Sequence, residues 1–214
     1  ATEVDETSGL GASRSAPGAF WIHNDSGDTE RVFAIDGSGK PLGTYEISDD
    51  KQEDWEDITV GPGPAAGKTY LYVGSIGGNN GRTDVSVFRA PEPPLSLVQA
   101  PAVRPLLNVD RLDFRYPNAG SFDAETLMVD PLTQDLFIVT KDKITGRSIV
   151  FRAAAPQAPG PTRELEQVAE INFPNQGLLG AATGGDISPN GLEIVIRTYG
   201  DAFLWQRSAN QSIA

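Results

Sequence analysis

The sequence predicts an all-β fold of the β-propeller type, and three observations carry that prediction. Helical periodicity is nearly absent, while short runs rich in Val, Ile, Phe, Tyr and Thr alternate with clusters of Gly, Pro, Asn and Asp. A short acidic and apolar segment leading into such a run recurs four times, at 6–10, 54–58, 123–127 and 184–187. The spacing of Leu10, Ile58, Leu127 and Ile187 fits blades of about 40 to 50 residues, with insertions lengthening the middle repeats.

Each predicted blade runs in the same order. The acidic segment opens the innermost strand, an apolar strand follows (20–23, 71–74, 137–140, 194–197), and a polar loop leads to a third strand with an aromatic (32–35, 85–89, 149–152, 203–207). Fourth strands are read at 42–47, 105–113 and 168–173. The last repeat has only 208–214 left, too little for a fourth strand. Blades are therefore expected at about 1–47, 48–118, 119–174 and, incomplete, 175–214, all within one domain. The ring is either four-bladed and closed by a terminal segment such as 1–5, or part of a five- or six-bladed one. Ile22, Val32, Val73, Val87, Val139, Val150, Ile196 and Leu204 read as core, since branched and large apolar residues suit a buried pleated surface. The Pro-rich stretches 90–105 and 153–161 read as exposed connections, and 162–169 is the one place offering a helical turn.

Composition narrows the function. Gly 23 and Pro 16 with no cysteine describe a turn-rich chain without disulfides or thiolate metal sites. A secreted, extracellular or periplasmic location is possible without disulfides, because a core of this size stands alone. A net charge of -12 argues against nucleic acid and anionic membranes. No apolar run nears the roughly 20 residues of a membrane helix. One histidine does not build the usual zinc site, and no nucleophile elbow, P-loop or dinucleotide fingerprint is present.

In a propeller the start of the innermost strand and the loop between second and third strands lie on one face. That face is expected to gather Glu6, Glu53, Asp54, Glu56, Asp57, Asp123, Glu125 and Asp186, interleaved with His23, Arg82, Lys141 and Arg197. Converging carboxylates repel unless a cation or basic groups lie between them. Ca2+ is the cofactor such oxygen-rich loops suit, with Asp25, Glu56, Asp57 and Glu125 as its candidate ligands. Two plainer readings stand beside it. The Asp25 loop also reads as an Asx turn, and the axial carboxylates also read as acceptors for backbone N–H groups of the next blade. Trp55, Arg82, Lys141 and Arg197 are the candidate ligand-binding residues, Trp55 because an aromatic at a rim stacks on a ligand. Catalytic candidates are His23, Glu56, Asp57 and Glu125.

The stretches 6–13, 21–28, 54–58, 70–80 and 123–141 resemble a bacterial family of secreted β-propellers of poorly defined function. That family is more distantly similar to phytase-like and SdiA-regulated propellers. The resemblance implies acidic residues holding Ca2+ and basic residues holding phosphate. Two functions are thus open. One is a propeller binding a metal and a small-molecule, carbohydrate or protein ligand on its funnel face. The other is a calcium-dependent hydrolase of phosphate esters. An incomplete last blade further predicts an unpaired edge and self-association through it.

Overall fold

The computed structural model describes residues 4–25, 27–47, 54–78 and 81–213. It is all-β: four antiparallel sheets arranged as a four-bladed β-propeller. Blade one contains β1 (Thr7–Ala12), β2 (Ala19–Asn24), β3 (Arg31–Asp36) and β4 (Pro41–Glu46). Blade two contains β5 (Trp55–Pro62), β6 (Thr69–Ser75), β7 (Asp84–Pro91) and β9 (Asp110–Arg115); β8 (Val103–Pro105) precedes its last strand in the chain. Blade three contains β10 (Ala124–Val129), β11 (Leu136–Thr140), β12 (Arg147–Ala153) and β14 (Glu166–Asn172), with β13 (Arg163–Glu164) just before β14. Blade four has three strands, β15 (Ala182–Ile187), β16 (Glu193–Thr198) and β17 (Ala202–Gln206).

The innermost strands β1, β5, β10 and β15 pack side by side around the axis, and apolar residues fill the spaces between successive blades. Trp21, Val32, Leu42, Trp55, Ile58 and Phe88 lie between blades one and two. Tyr72, Val87, Phe114, Leu127, Ile138 and Phe151 join blades two and three. Met128, Val139, Val150, Phe173, Ile187 and Ile196 join three and four. Each fully buried large side chain contributes about 1.5–3 kcal/mol, so these three layers hold the ring together.

The seam between blades four and one is different. There β15 meets β1 only thinly. A cleft of about 670 Å3, lined by Leu10, Ile22, Phe33 and Ile35 on the blade-one side, opens toward Arg197. Polar ties cross the seam: Arg197 donates to the Ser8 carbonyl (3.2 Å), and Arg14 donates to the Ile187 carbonyl (3.1 Å) and pairs with Asp186 (3.5 Å).

Several expectations need correction. The Pro-rich stretches 90–105 and 153–161 lie largely at the surface, and a short strand at or just after the end of each reaches back: β8 pairs in parallel with β4, and β13 pairs in parallel with β9, at the outer edge of the preceding blade. The fourth strand of blade two is accordingly 110–115, not 105–113, because Pro105 ends the strap. No helical turn forms at 162–169; extended pairing with neighbouring strands takes it into β13 and β14. Leu204 is not core but 62% exposed, since it faces away from blade three. The proposed closing segment 1–5 lies outside the described residues at 1–3, and the Asp5 N–H goes to the Asn24 side chain of blade one.

Glu92, within the Pro-rich stretch, anchors the end opposite the rim. Its carboxylate accepts hydrogen bonds from Ser13 Oγ, the Arg14 and Ser15 amides, Trp21 Nε1 and Thr69 Oγ1, at 2.7 to 3.1 Å. Arg207 performs a similar task for blade four, donating to Asp130 (2.6 Å) and to the carbonyls of Gly191 and Gln211, with both partners of the ion pair buried.

Candidate cation site at the propeller rim

A β-bulge recurs at the same point of the innermost strand in every blade. In blade two, Trp55 opposes Ser75 and Asp57 opposes Gly74, which leaves Glu56 as the extra residue. In blade three, Ala124 opposes Thr140 and Thr126 opposes Val139, which leaves Glu125. In blade four the extra residue is Thr183, and in blade one the shift falls across Ser8 and Gly9. A bulge bends its strand and re-aims one side chain. In blades two and three the re-aimed side chain is a glutamate, and the residue two before it is an aspartate. The fourth repeat is therefore Ala181-Ala182-Thr183-Gly184. Asp186 lies further down the strand, facing Thr59 Oγ1 at 3.1 Å, and does not belong with the other acids.

Two groups of carboxylates result, sharing Glu56. Asp25, Asp54 and Glu56 form one, and Glu56, Asp123 and Glu125 the other; in each, one oxygen per residue lies within 4.8 Å of the others. Oxygens bound at about 2.4 Å to one ion are at most about 4.8 Å apart, so both groups are compact enough for a hard cation. The residues come from blades one, two and three. Burial, followed by the charges of Asp25, Asp54 and Asp123, pushes Glu56 up to about 8. The loop after β6 closes on the site. The Gly78 N–H donates to Asp123 Oδ1 (3.0 Å), and a Cβ on Gly77 would collide with the Asp54 and Glu56 carboxyls.

Basic residues flank the second group. Lys141 pairs with Glu125 and reaches the Tyr199 hydroxyl at 3.1 Å, its ammonium 5.1 Å from that ring's centre. Lys143 pairs with Asp123 at 3.0 Å, which raises the lysine's pKa. Tyr199 is 54% exposed, the one large aromatic open to solvent beside the site among the described residues.

The remaining sequence candidates fall elsewhere. Asp57 joins neither group. It points inward, accepting the Ile58 N–H (3.0 Å), the Leu127 N–H (2.9 Å) and, at 3.4 Å, the Gly185 N–H, so one carboxyl ties three blades. Burial pushes it up to about 8 despite those donors. His23 is fully buried, with Nδ1 2.7 Å from the Asn24 carbonyl, and desolvation lowers its pKa to about 4. A Cβ on Gly9 would lie 2.5 Å from its Nε2, so the glycine makes room for the ring. Trp55 is also fully buried, edge-on to His23 at 5.8 Å and near Phe88 at 5.9 Å, because its side chain turns into the layer between blades. It offers no face to a ligand. Arg82 donates to Ser75 Oγ (3.2 Å) and lines a separate polar cleft with Asp84, Arg111 and Asp113. Arg197 belongs to the seam. Glu6 is exposed, and Glu53 lies outside the described residues.

Tyr199 and Lys143 were not singled out by the sequence reading. Their loops follow β16 and β11 on the rim face, so position in the repeat was the available signal.

No family model matches the chain, and no curated protein matches it. Among solved structures, the hydrazine synthase of Kuenenia stuttgartiensis is similar at a TM-score of 0.45 with 12% identity. The similarity covers 94% of this chain and 58% of that one, so the chain spans little more than half of the matched protein.

Proposed function

We propose that this chain is a binding propeller whose rim holds a divalent cation of calcium's chemistry, beside a ligand taken on the same funnel face. The observation that carries the reading is the pair of carboxylate groups joined at Glu56, built by a bulge that places glutamate at the same point of two adjacent blades. Concentrating carboxylates this closely is unfavourable without a counter-charge; burial first, and then the charges of Asp25, Asp54 and Asp123, raise the Glu56 pKa. Asp25, Asp54 and Glu56 would hold the ion, a set of hard oxygen donors that suits Ca2+. Bound there, the cation supplies fixed positive charge for a carbonyl, hydroxyl or anionic group of the ligand. Tyr199 offers a surface for stacking a sugar ring or a side chain of a protein ligand. A secreted or periplasmic location fits this reading, since calcium is plentiful outside the cytoplasm.

The calcium of the phytase-like resemblance is thus retained, while its phosphate chemistry is less favoured. Lys141 and Lys143 are already paired with Glu125 and Asp123, and the lone histidine is sealed inside. Calorimetric titration with Ca2+ and thermal melting test the proposal. Calcium is expected to raise the melting temperature, corresponding to about 2.7 kcal/mol at a hundredfold excess over Kd. Glu56→Gln is expected to lose most of that gain while folding normally. An unchanged melting curve in calcium and in EDTA, with no heat of binding, overturns it.

A further inference from the structure

A cleft of about 460 Å3 opens on the rim side of blade three, lined wholly by residues between 121 and 149. That volume is the scale of a small-molecule site. Its walls come from the segment leading into β10, the end of β11, the β11–β12 loop and the start of β12. It borders the second carboxylate group through Asp123 and Lys141.

The frame of the cleft is held by its own hydrogen bonds and packing. Asp142 accepts the Ile144 amide (2.7 Å), the Thr145 amide (3.1 Å) and the Thr145 hydroxyl. A Cβ on Gly146 (φ +71°) would lie 2.3 Å from the Asn175 carbonyl oxygen, so glycine is needed to close the loop there. Phe122 packs on Tyr116 and Phe151, with ring centres 5.0 and 5.1 Å apart. Such a frame needs little ordering when a ligand enters.

What the frame leaves over is an excess of donors. The carboxylates are engaged, Asp142 by its turn and Asp123 by the Gly78 amide and Lys143. Lys141 is spent on Glu125 and the Tyr199 hydroxyl. Lys143, with its side chain 55% exposed, gives Asp123 one of its three N–H groups. Arg147 commits Nε and Nη2 to Glu170 and keeps Nη1 free among the described residues. Thr140 Oγ1 accepts the Ile149 amide (2.8 Å), which leaves its O–H to donate. Between these heads the walls are apolar, from Phe122, Ile144 and Ile149. Three cationic side chains stand against two carboxylates in the lining, a local excess of positive charge in a chain of net charge -12.

We propose that this cleft takes a small monocarboxylate with an apolar body, of the arylacetate kind. Its carboxylate accepts from Lys143 and Arg147, and its body lies against Phe122, Ile144 and Ile149. A single negative charge matches the local excess of one, which the two charges of a phosphate ester exceed. The hydroxyl donors of a neutral sugar would meet acceptors that are already engaged. The proposal rests on the preceding reading only in taking the rim as the ligand side. The donors are the chain's own, so the cation is not required.

Calorimetric titration with phenylacetate, in calcium-free buffer and then in calcium, tests it. Phenylacetate is expected to bind without calcium. Phenylacetamide lacks the charge and acetate lacks the body, so each is expected to bind about tenfold more weakly or worse. Lys143→Gln and Arg147→Gln change exposed side chains and should fold as the wild type does. Each is expected to lose about tenfold in affinity for phenylacetate, the scale of one charge-assisted hydrogen bond. No binding of phenylacetate, binding that both variants leave intact, or tighter binding of phenyl phosphate overturns the inference. Binding that appears only with calcium also overturns it, while leaving the cation reading in place. Phenylacetate bound by a chain that takes no calcium has the reverse meaning.

Discussion

Glu56 and Asp57 are chain neighbours with opposite roles, and the bulge separates them. One carboxyl turns outward into a group of acids, and the other inward onto N–H groups of three blades. Both hold their protons up to about 8 when no cation is bound. His23 titrates in the other direction, with a folded pKa of about 4 against 6.5 in the free side chain. It takes up a proton on unfolding, so its contribution is present above 6.5 and is lost as the pH falls toward 4. Asp57 gives up a proton on unfolding, so its contribution is present below 3.8 and is lost as the pH rises through about 8. From pH 6.5 to 8 the carboxyls act alone. Calcium-free melting temperatures are therefore expected to fall across that window. Asp57→Asn should make the decline shallower, and a variant retaining the full slope would contradict the assignment.

At the scale of the element, the recurrent bulge and the loop after β6 shape the rim together. Gly77 leaves space that the Asp54 and Glu56 carboxyls occupy. Those carboxyls are ends of flexible side chains, so Gly77→Ala is expected to cost no more than about 1 kcal/mol of stability, the usual scale for a modest side-chain adjustment. The same change displaces two ligand groups, and calcium affinity measured by calorimetry should fall at least tenfold. A loss of stability without loss of affinity would show that the loop only packs. The straps β8 and β13 belong to this scale too: each ties a blade to the one before it through backbone bonds that a reading of isolated repeats does not contain.

Across the whole molecule, three seams are apolar and the fourth is a cleft bridged by Arg14 and Arg197. Among the described residues, blade four thus has one apolar seam and three strands, which makes it the first unit to open. In hydrogen exchange, amides of β15 to β17 should exchange faster than those of β5 to β7. Equal protection throughout would mean that the polar seam stabilises as well as the apolar ones.

The sequence by itself determined the class of fold and the order of strands within the four repeats. These follow from periodicity, turn residues and repeat spacing, which are local properties of the chain. It also placed Asp25, Glu56 and Glu125 among the candidates, because repeat position is visible in one dimension. Only the tertiary structure decided which neighbour of each acidic pair faces the rim, since an alternation of sides reverses at a bulge and no residue type announces one. For the same reason Trp55 and His23 turned out buried, Asp186 fell outside its repeat, and Tyr199 emerged beside the carboxylates. The thin seam was likewise decided by packing: whether Leu204 is core or edge depends on what stands across from it, and that is set by the closure of the ring.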